Sequence, residues 1–303
     1  MNKPLFLLWT DGAEAYRKAI TAAGLDQRIR LEELPRNTTP STAQLQEAEA
    51  MLTWGPPAGT LAQMPKLRWA QALTAGVEHW LARTDLSPSL TLTCARGTHR
   101  VQMPENILGA LFHITKPYAA IVGDNAASTW TRRVSSTLAG QTLGILGLGA
   151  IGQELARKAA ALEMRVIGTR RATGALAHVE RVYAPEETDE VLAQSDFVVL
   201  LLPATPETES IINATRLARM KKTAWLLNFG RGALIDDAAL VAAAKSGTIA
   251  GAILDVFRQE PLPKDDPFWG TENILVLPHI GGLHPARDSM VGWTGTLDLT
   301  GSP

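Results

Sequence analysis

The sequence predicts an α/β protein built on parallel sheets, and three observations carry that expectation. Short apolar runs alternate with Ala- and Leu-rich helical patterns along nearly the whole chain, as strands joined by crossover helices require. The runs fall into two series, separated by one apolar stretch from about Gln102 to Val122 that is longer than any strand. At 303 residues the chain exceeds the usual size of one core, so the two series read as two domains.

In chain order, the first series is Leu5 to Trp9, Ala50 to Trp54, Trp69 to Leu73 and Leu90 to Cys94. The Gln102 to Val122 stretch, opened by Pro104 and Glu105, then reads as one long helix bridging two domains. The second series runs through Thr142 to Leu146, Arg165 to Thr169, Phe197 to Leu202, Ala224 to Asn228, Ile249 to Leu254 and Ile274 to Leu277. The expected domains are residues 1–97 and 98–284. No solenoid repeat or low-complexity segment interrupts them.

A formal charge of −1 gives no general field for attracting nucleic acid, so the expected partner is a small molecule. The single cysteine, Cys94, cannot form an internal disulfide, and no Cys/His run has zinc-site spacing; the expectation is a reducing compartment and no metal. The apolar run from Met1 to Trp9 is too short for a signal peptide or a membrane span, which points to the cytoplasm.

The strand ending at Leu146 leads into Gly147-Leu148-Gly149-Ala150-Ile151-Gly152, and a helical pattern from Gln153 to Leu162 follows. In a dinucleotide site the first glycine permits the tight turn, the second lets backbone approach a pyrophosphate, and the third lets helix and strand pack closely. The alternative is a glycine-rich turn without a ligand; the flanking strand, helix and next strand favour binding. About twenty residues on, where NAD-binding folds carry an acid for the ribose hydroxyls, this chain has Thr169-Arg170-Arg171. Two guanidinium groups suit a 2′-phosphate, so NADP(H) is expected over NAD(H), with NAD(H) as the lesser cofactor. The competing reading is a solvated basic pair.

Ligands of open α/β sheets collect beyond the carboxyl ends of the strands. Arg231, Asp255, Glu260 and His279 follow three successive strands of the second series there. Singly, each has a commoner structural explanation, as a surface charge, a loop contact or a packing residue. Together they match the reduction of a 2-oxo acid, which needs a cation to hold the carboxylate and polarise the carbonyl, and an acid to protonate the oxygen as hydride arrives. Arg231 and His279 fit those roles, with Glu260 as the carboxylate that would fix the imidazole tautomer. The other histidines, His79, His99, His113, His178 and His284, have no comparable placement.

With these residues in view, the chain resembles the D-isomer-specific 2-hydroxyacid dehydrogenase family, and particularly its glyoxylate/hydroxypyruvate reductase branch. The resemblance is carried by Gly147 to Gly152, by Leu201-Leu202-Pro203-Ala204-Thr205-Pro206-Glu207-Thr208, and by Asn228-Phe229-Gly230-Arg231-Gly232. It continues in Leu254-Asp255-Val256-Phe257 with Glu260-Pro261, and in Pro278-His279-Ile280-Gly281-Gly282. It implies a Rossmann-type dinucleotide-binding domain, a flavodoxin-like substrate domain, both doubly wound, and a cleft between them.

The resemblance further implies that Arg231 binds the substrate, that His279 is the acid/base and that Glu260 pairs with it. Asp255 would contact the nicotinamide amide, and Leu202, Pro203, Thr208, Phe229, Gly230, His279 and Gly281 would border the cofactor. Ala75, Gly76 and Val77 resemble the family's backbone-amide loop for the substrate carboxylate, although Gly76 also suits a plain turn. Trp54 would wall the pocket, or else serve as a core aromatic. The family is commonly a homodimer, and its first domain is completed by the chain's end, here residues 285–303; the segment Thr294 to Pro303 departs from the amphipathic helix expected there. The implied activity is reduction of glyoxylate, hydroxypyruvate or a similar 2-oxo acid to the D-2-hydroxy acid. The rival is a dinucleotide-sensing binding protein like the family's corepressor relatives. Formate, phosphite or a phosphorylated acid is a third reading, and no basic cluster near Trp54 or Gly76 in the sequence favours a phosphate.

Overall fold

The sheet order of each half follows from how its apolar strands nest. In the computed structural model, which describes residues 3–284, one compact unit runs to Thr98 and a second spans His99–Leu283. The expectation that residues 285–303 complete the first domain lies outside the described residues, as does the departure at Thr294 to Pro303.

The first unit holds β1 (Leu5–Trp9), β2 (Arg30–Leu34), β3 (Ala48–Thr53), β4 (Trp69–Ala72) and β5 (Thr91–Cys94) in the parallel order β2-β1-β3-β4-β5. That is the flavodoxin-like doubly wound order. β1 is buried at every position and flanked on both sides. Its residues alternate between the two faces, Leu5 and Leu7 packing with Met51, Ala70 and Trp80, and Phe6 and Leu8 with Tyr16, Ile20 and Leu52.

The second unit holds β6 (Thr142–Leu146), β7 (Arg165–Thr169), β8 (Arg181–Tyr183), β9 (Phe197–Leu200), β10 (Trp225–Asn228), β11 (Gly251–Leu254) and β12 (Ile274–Val276). All pair in parallel, in the order β12-β11-β10-β9-β6-β7-β8. The chain winds outward from β6 to β8, then resumes at β9 on the other flank of β6. The reversal makes the β6/β9 junction the topological switch point of a Rossmann-type sheet.

Three expectations need correction. β2 and β8 are absent from the sequence reading because both are edge strands with charged residues, such as Arg30, Glu32 and Glu33 in β2. Charge on an edge discourages pairing with other chains and also hides the apolar run. Several strands are shorter than their apolar runs: Ile249, for example, is buried although the β11 ladder starts at Gly251, since apolar composition reports burial rather than pairing. The single long helix from Gln102 is two helices, Gln102–Thr115 and Tyr118–Ala126. Lys116, at φ −115° and ψ 136°, is extended because the ring of Pro117 disfavours the helical region for the residue before it.

Candidate active site

Since the seven strands of the second unit run parallel, their carboxyl ends share one edge of the sheet, and the predicted residues lie along it. After β6, Gly147 turns the chain at φ +111°, a conformation L side chains rarely adopt, and a Cβ there would lie 2.8 Å from the Leu201 carbonyl oxygen. A Cβ on Gly152 would come within 2.4 Å of the Gly147 carbonyl oxygen, so this glycine is required for close packing of helix on turn. Gly149 differs: a Cβ there would meet nothing within 4 Å, so packing does not require a glycine and its value is an exposed backbone. The helix Ala150–Ala161 begins three residues before the expected Gln153, with Ala150 and Ile151 in its first turn and Gly149 at its N-cap without a capping side chain. Uncapped first-turn N–H groups beside an exposed glycine fit the pyrophosphate of a dinucleotide.

At the end of β7, Thr169 is buried and its carbonyl accepts from the Leu148 N–H at 2.9 Å, fastening the glycine turn to the next strand. Arg170 and Arg171 follow, both exposed. Beyond β9, Leu202 and Pro203 enter a loop closed by Thr208, whose hydroxyl donates to the Pro203 carbonyl at 2.7 Å and accepts from the Thr205 N–H at 2.8 Å. The Glu207 carboxyl in this loop is held below its ordinary range by the Thr205 hydroxyl, then by its own backbone amide, and by the charge of Arg171. The Arg171 guanidinium is thus within electrostatic reach of the loop after β9.

Beyond β10, the buried Asn228 side chain accepts from the Gly230 N–H at 3.1 Å and donates to the Arg231 carbonyl at 2.9 Å, shaping the turn that carries Arg231. Glycine is obligatory on both sides: a Cβ on Gly230 would lie 2.9 Å from the Leu202 carbonyl oxygen, and one on Gly232 would overlap the Phe257 backbone. Arg231 is half-buried, with an Nη1 donating to the Gly230 carbonyl at 2.7 Å.

Beyond β11, Glu260 accepts from the Phe257 N–H at 2.9 Å through Oε1, and its Oε2 lies 2.6 Å from Nδ1 of His279, which follows β12. Nineteen residues separate the pair in sequence. Adjacent parallel strands make them neighbours: Leu254 of β11 is in register with Val276 of β12. Arg231, after β10, is offset from the His279 segment by two strand spacings, about 10 Å. His279 sits at φ +54°, strained for a residue with a side chain.

Asp255, which directly follows β11, is tied to the same segment. Its carboxylate is buried and both oxygens are engaged by the loop behind His279, Oδ1 accepting from the Ile280 N–H at 2.7 Å and Oδ2 from the Gly281 N–H at 2.8 Å. Burial pushes this carboxyl above the ordinary carboxylate range, while the two amides and nearby His279 pull it back. Gly281 packs so closely on Asp255 and the buried Phe229 ring that a Cβ would lie within 2.8 Å of both.

The remaining predicted residues belong to the first unit. Trp54, after β3, packs half-buried against the cluster of Phe6, Leu8 and Leu52, with the Arg36 guanidinium 5.1 Å above its ring. A basic neighbour brought from the loop after β2 was not visible in the sequence near Trp54. Ala75, Gly76 and Val77 follow β4 in a loop where the Thr74 hydroxyl donates to the Gly76 carbonyl at 2.7 Å. His79 Nε2 lies 3.3 Å from the Trp54 carbonyl, linking the two loops. Among the described residues there is no cluster of metal-ligating side chains and no helix long and apolar enough to cross a membrane.

A doubly wound parallel sheet with a dinucleotide cradle at its switch point, and an imidazole–carboxylate pair beyond the same edge, defines a nicotinamide-dependent oxidoreductase. Residues 108–281 match the D-isomer specific 2-hydroxyacid dehydrogenase, NAD binding domain profile. The chain is 33% identical over 238 residues to glyoxylate/hydroxypyruvate reductase B of Citrobacter koseri, covering 76% of this chain and 73% of that one. It superposes with a TM-score of 0.81, at 30% identity, on a D-isomer specific 2-hydroxyacid dehydrogenase from Xanthobacter autotrophicus Py2 in complex with NADPH and MES, covering 96% of this chain and 92% of that one. For the NADPH-dependent glyoxylate/hydroxypyruvate reductase of Sinorhizobium meliloti in complex with NADP and sulfate, the TM-score is 0.79 and the identity 28%, with 96% and 92% covered. The chain belongs to the D-isomer specific 2-hydroxyacid dehydrogenase family.

Proposed function

We propose that this protein is a cytoplasmic reductase that converts a small 2-oxo acid of the glyoxylate or hydroxypyruvate type to the D-2-hydroxy acid, using NADPH. The observation that carries the reading is the 2.6 Å contact between His279 Nδ1 and Glu260 Oε2 beyond the strand ends of a dinucleotide-binding sheet. With Glu260 accepting from Nδ1–H, Nε2 is the nitrogen left to deliver a proton to the substrate oxygen. Arg231 holds the substrate carboxylate and polarises the carbonyl. In the first unit, Ala75, Gly76 and Val77 are proposed to contribute backbone N–H groups to substrate binding, and Trp54 an aromatic wall.

The first-turn amides of the helix Ala150–Ala161, with Gly147, Gly149 and Gly152, hold the pyrophosphate. Leu202, Pro203, Thr208, Phe229, Gly230 and Gly281 border the nucleotide, and Asp255 serves it by fixing the Ile280–Gly281 backbone. When bound, the reduced nicotinamide supplies the hydride. The NADPH and NADP complexes of structural relatives support this cofactor.

Steady-state oxidation of NADPH against a panel of 2-oxo acids tests the proposal; no turnover with any of them would leave the dinucleotide-sensing alternative. Arg170 and Arg171 are proposed to bind the 2′-phosphate. Replacing both with serine is expected to raise the KM for NADPH by about 10- to 100-fold while changing that for NADH by less than about threefold. Equal effects on the two cofactors would remove the assignment.

A homodimer is also proposed. The helix Tyr118–Ala126 has no buried residue, and Tyr118, Val122, Trp130 and Val134 are exposed along residues 118–134. Such an apolar surface is costly to leave in water. Light scattering is expected to give twice the mass of one chain, and Trp130→Glu with Val134→Glu to shift it toward the monomer. A monomeric parent protein would refute the dimer.

A further inference from the structure

The backbone that carries His279 is held by two side chains, Asp255 and Asn106. Asp255 takes the N–H groups of Ile280 and Gly281, and the Asn106 side-chain amide donates to the carbonyls of the same two residues, Ile280 at 3.2 Å and Gly281 at 3.0 Å, so the Ile280–Gly281 peptide is held at both its N–H and its C=O. Asn106 stands in the first half of the helix Gln102–Thr115, 174 residues from Ile280 in sequence. The loop is also pressed onto the segment leading into that helix: a Cβ on Gly282 would lie 2.8 Å from the His99 ring, and the His99 carbonyl accepts from the Met103 N–H at 3.0 Å.

We infer that Asn106 is a positioning residue for His279. His279 occupies a left-handed backbone conformation at φ +54°, which a side-chain-bearing residue keeps only when its surroundings over-determine it. Asp255 holds the Ile280 and Gly281 N–H groups and the Leu283 N–H reaches the Ile280 carbonyl at 3.0 Å from within the loop, so Asn106 is the side chain that ties both carbonyls to the helix Gln102–Thr115. A primary amide is suited to this because its nitrogen carries two N–H groups, one for each carbonyl. An isosteric carboxylate has the same shape and the opposite effect, since it accepts only and would set negative charge against two carbonyl oxygens.

The proposal rests on His279 as the proton donor, so its test has one readout in turnover and one independent of it. Asn106→Ala is expected to lower kcat about tenfold and Asn106→Asp about 100-fold, with the KM for the 2-oxo acid and the dissociation constant for NADPH changed less than about threefold. Backbone amide exchange, read by NMR, is expected to accelerate about tenfold or more at Ile280 and Gly281 in both variants, and not at the amides of β10 and β11. A mere packing role would make the isosteric aspartate milder than alanine. Wild-type kcat in Asn106→Asp, or unchanged exchange at Ile280 and Gly281 in either variant, would overturn the inference. If the parent protein reduces no 2-oxo acid, the functional reading fails, while exchange still decides whether Asn106 fixes the loop. Should the aspartate variant not fold, Asn106→Ala gives the same exchange and kcat readouts.

Discussion

His279→Ala is expected to lower kcat for 2-oxo acid reduction on the order of 10²–10⁴-fold while leaving NADPH affinity within about threefold of the parent. In the proposed reaction the alkoxide that forms as hydride reaches the carbonyl carbon must be protonated, and Nε2 of His279 is the donor assigned to it, its ring held by the Nδ1 contact with Glu260 at 2.6 Å. The loss corresponds to about 3–5 kcal/mol of transition-state stabilisation. Glu260→Ala should give a smaller drop of the same kind, since the imidazole would lose its orientation but keep its proton-carrying nitrogen. Stopped-flow reduction together with a fluorescence titration of NADPH separates chemistry from binding. A His279→Ala variant with parental kcat would end the proton-donor assignment.

Arg231→Gln should be the more damaging for kcat/KM, by roughly 10³–10⁵-fold, because one guanidinium serves both binding and chemistry. In the proposed reaction it pairs with the substrate carboxylate in the ground state and stabilises negative charge on the neighbouring oxygen as the carbonyl is reduced. KM should therefore rise and kcat fall together, unlike the His279 variant. Arg231→Lys is expected to recover only a small part, since a point charge cannot reproduce a planar fork of donors. The turn around it constrains the position further: Gly230 and Gly232 both contact backbone too closely to admit a Cβ. Parental kcat/KM in Arg231→Gln would remove this residue from the site.

Much of the architecture was legible because apolar strands advertise themselves when both faces are buried. β1, β6 and β7 agree residue for residue with the expected runs, and each is flanked by strands on both sides. β2 and β8 were illegible for the converse reason, being edges whose charges break the pattern. The break at Pro117 was available in the sequence, since a proline ends a helical pattern at the residue before it, but the continuous apolar content on both sides outweighed it. In the site, Arg231, Glu260 and His279 could be named because each lies within a few residues of the carboxyl end of a strand. Asn228 and Asn106 could not, since an asparagine near a strand end or within a helix carries no signal until its distant hydrogen-bond partners are known.

The sequence by itself determined the α/β class, the central strands of both series, the glycine cradle and the identity of the polar groups that follow the strands, because these depend on local periodicity and on which residues tolerate a turn. Only the tertiary structure decided how those groups are used: that the Asp255 carboxylate turns inward to the Ile280 and Gly281 amides, that Glu260 meets Nδ1 of His279, and that Asn106 reaches the same loop from another helix. A hydrogen bond depends on distance and direction in space, and neither is written in the spacing of residues along the chain.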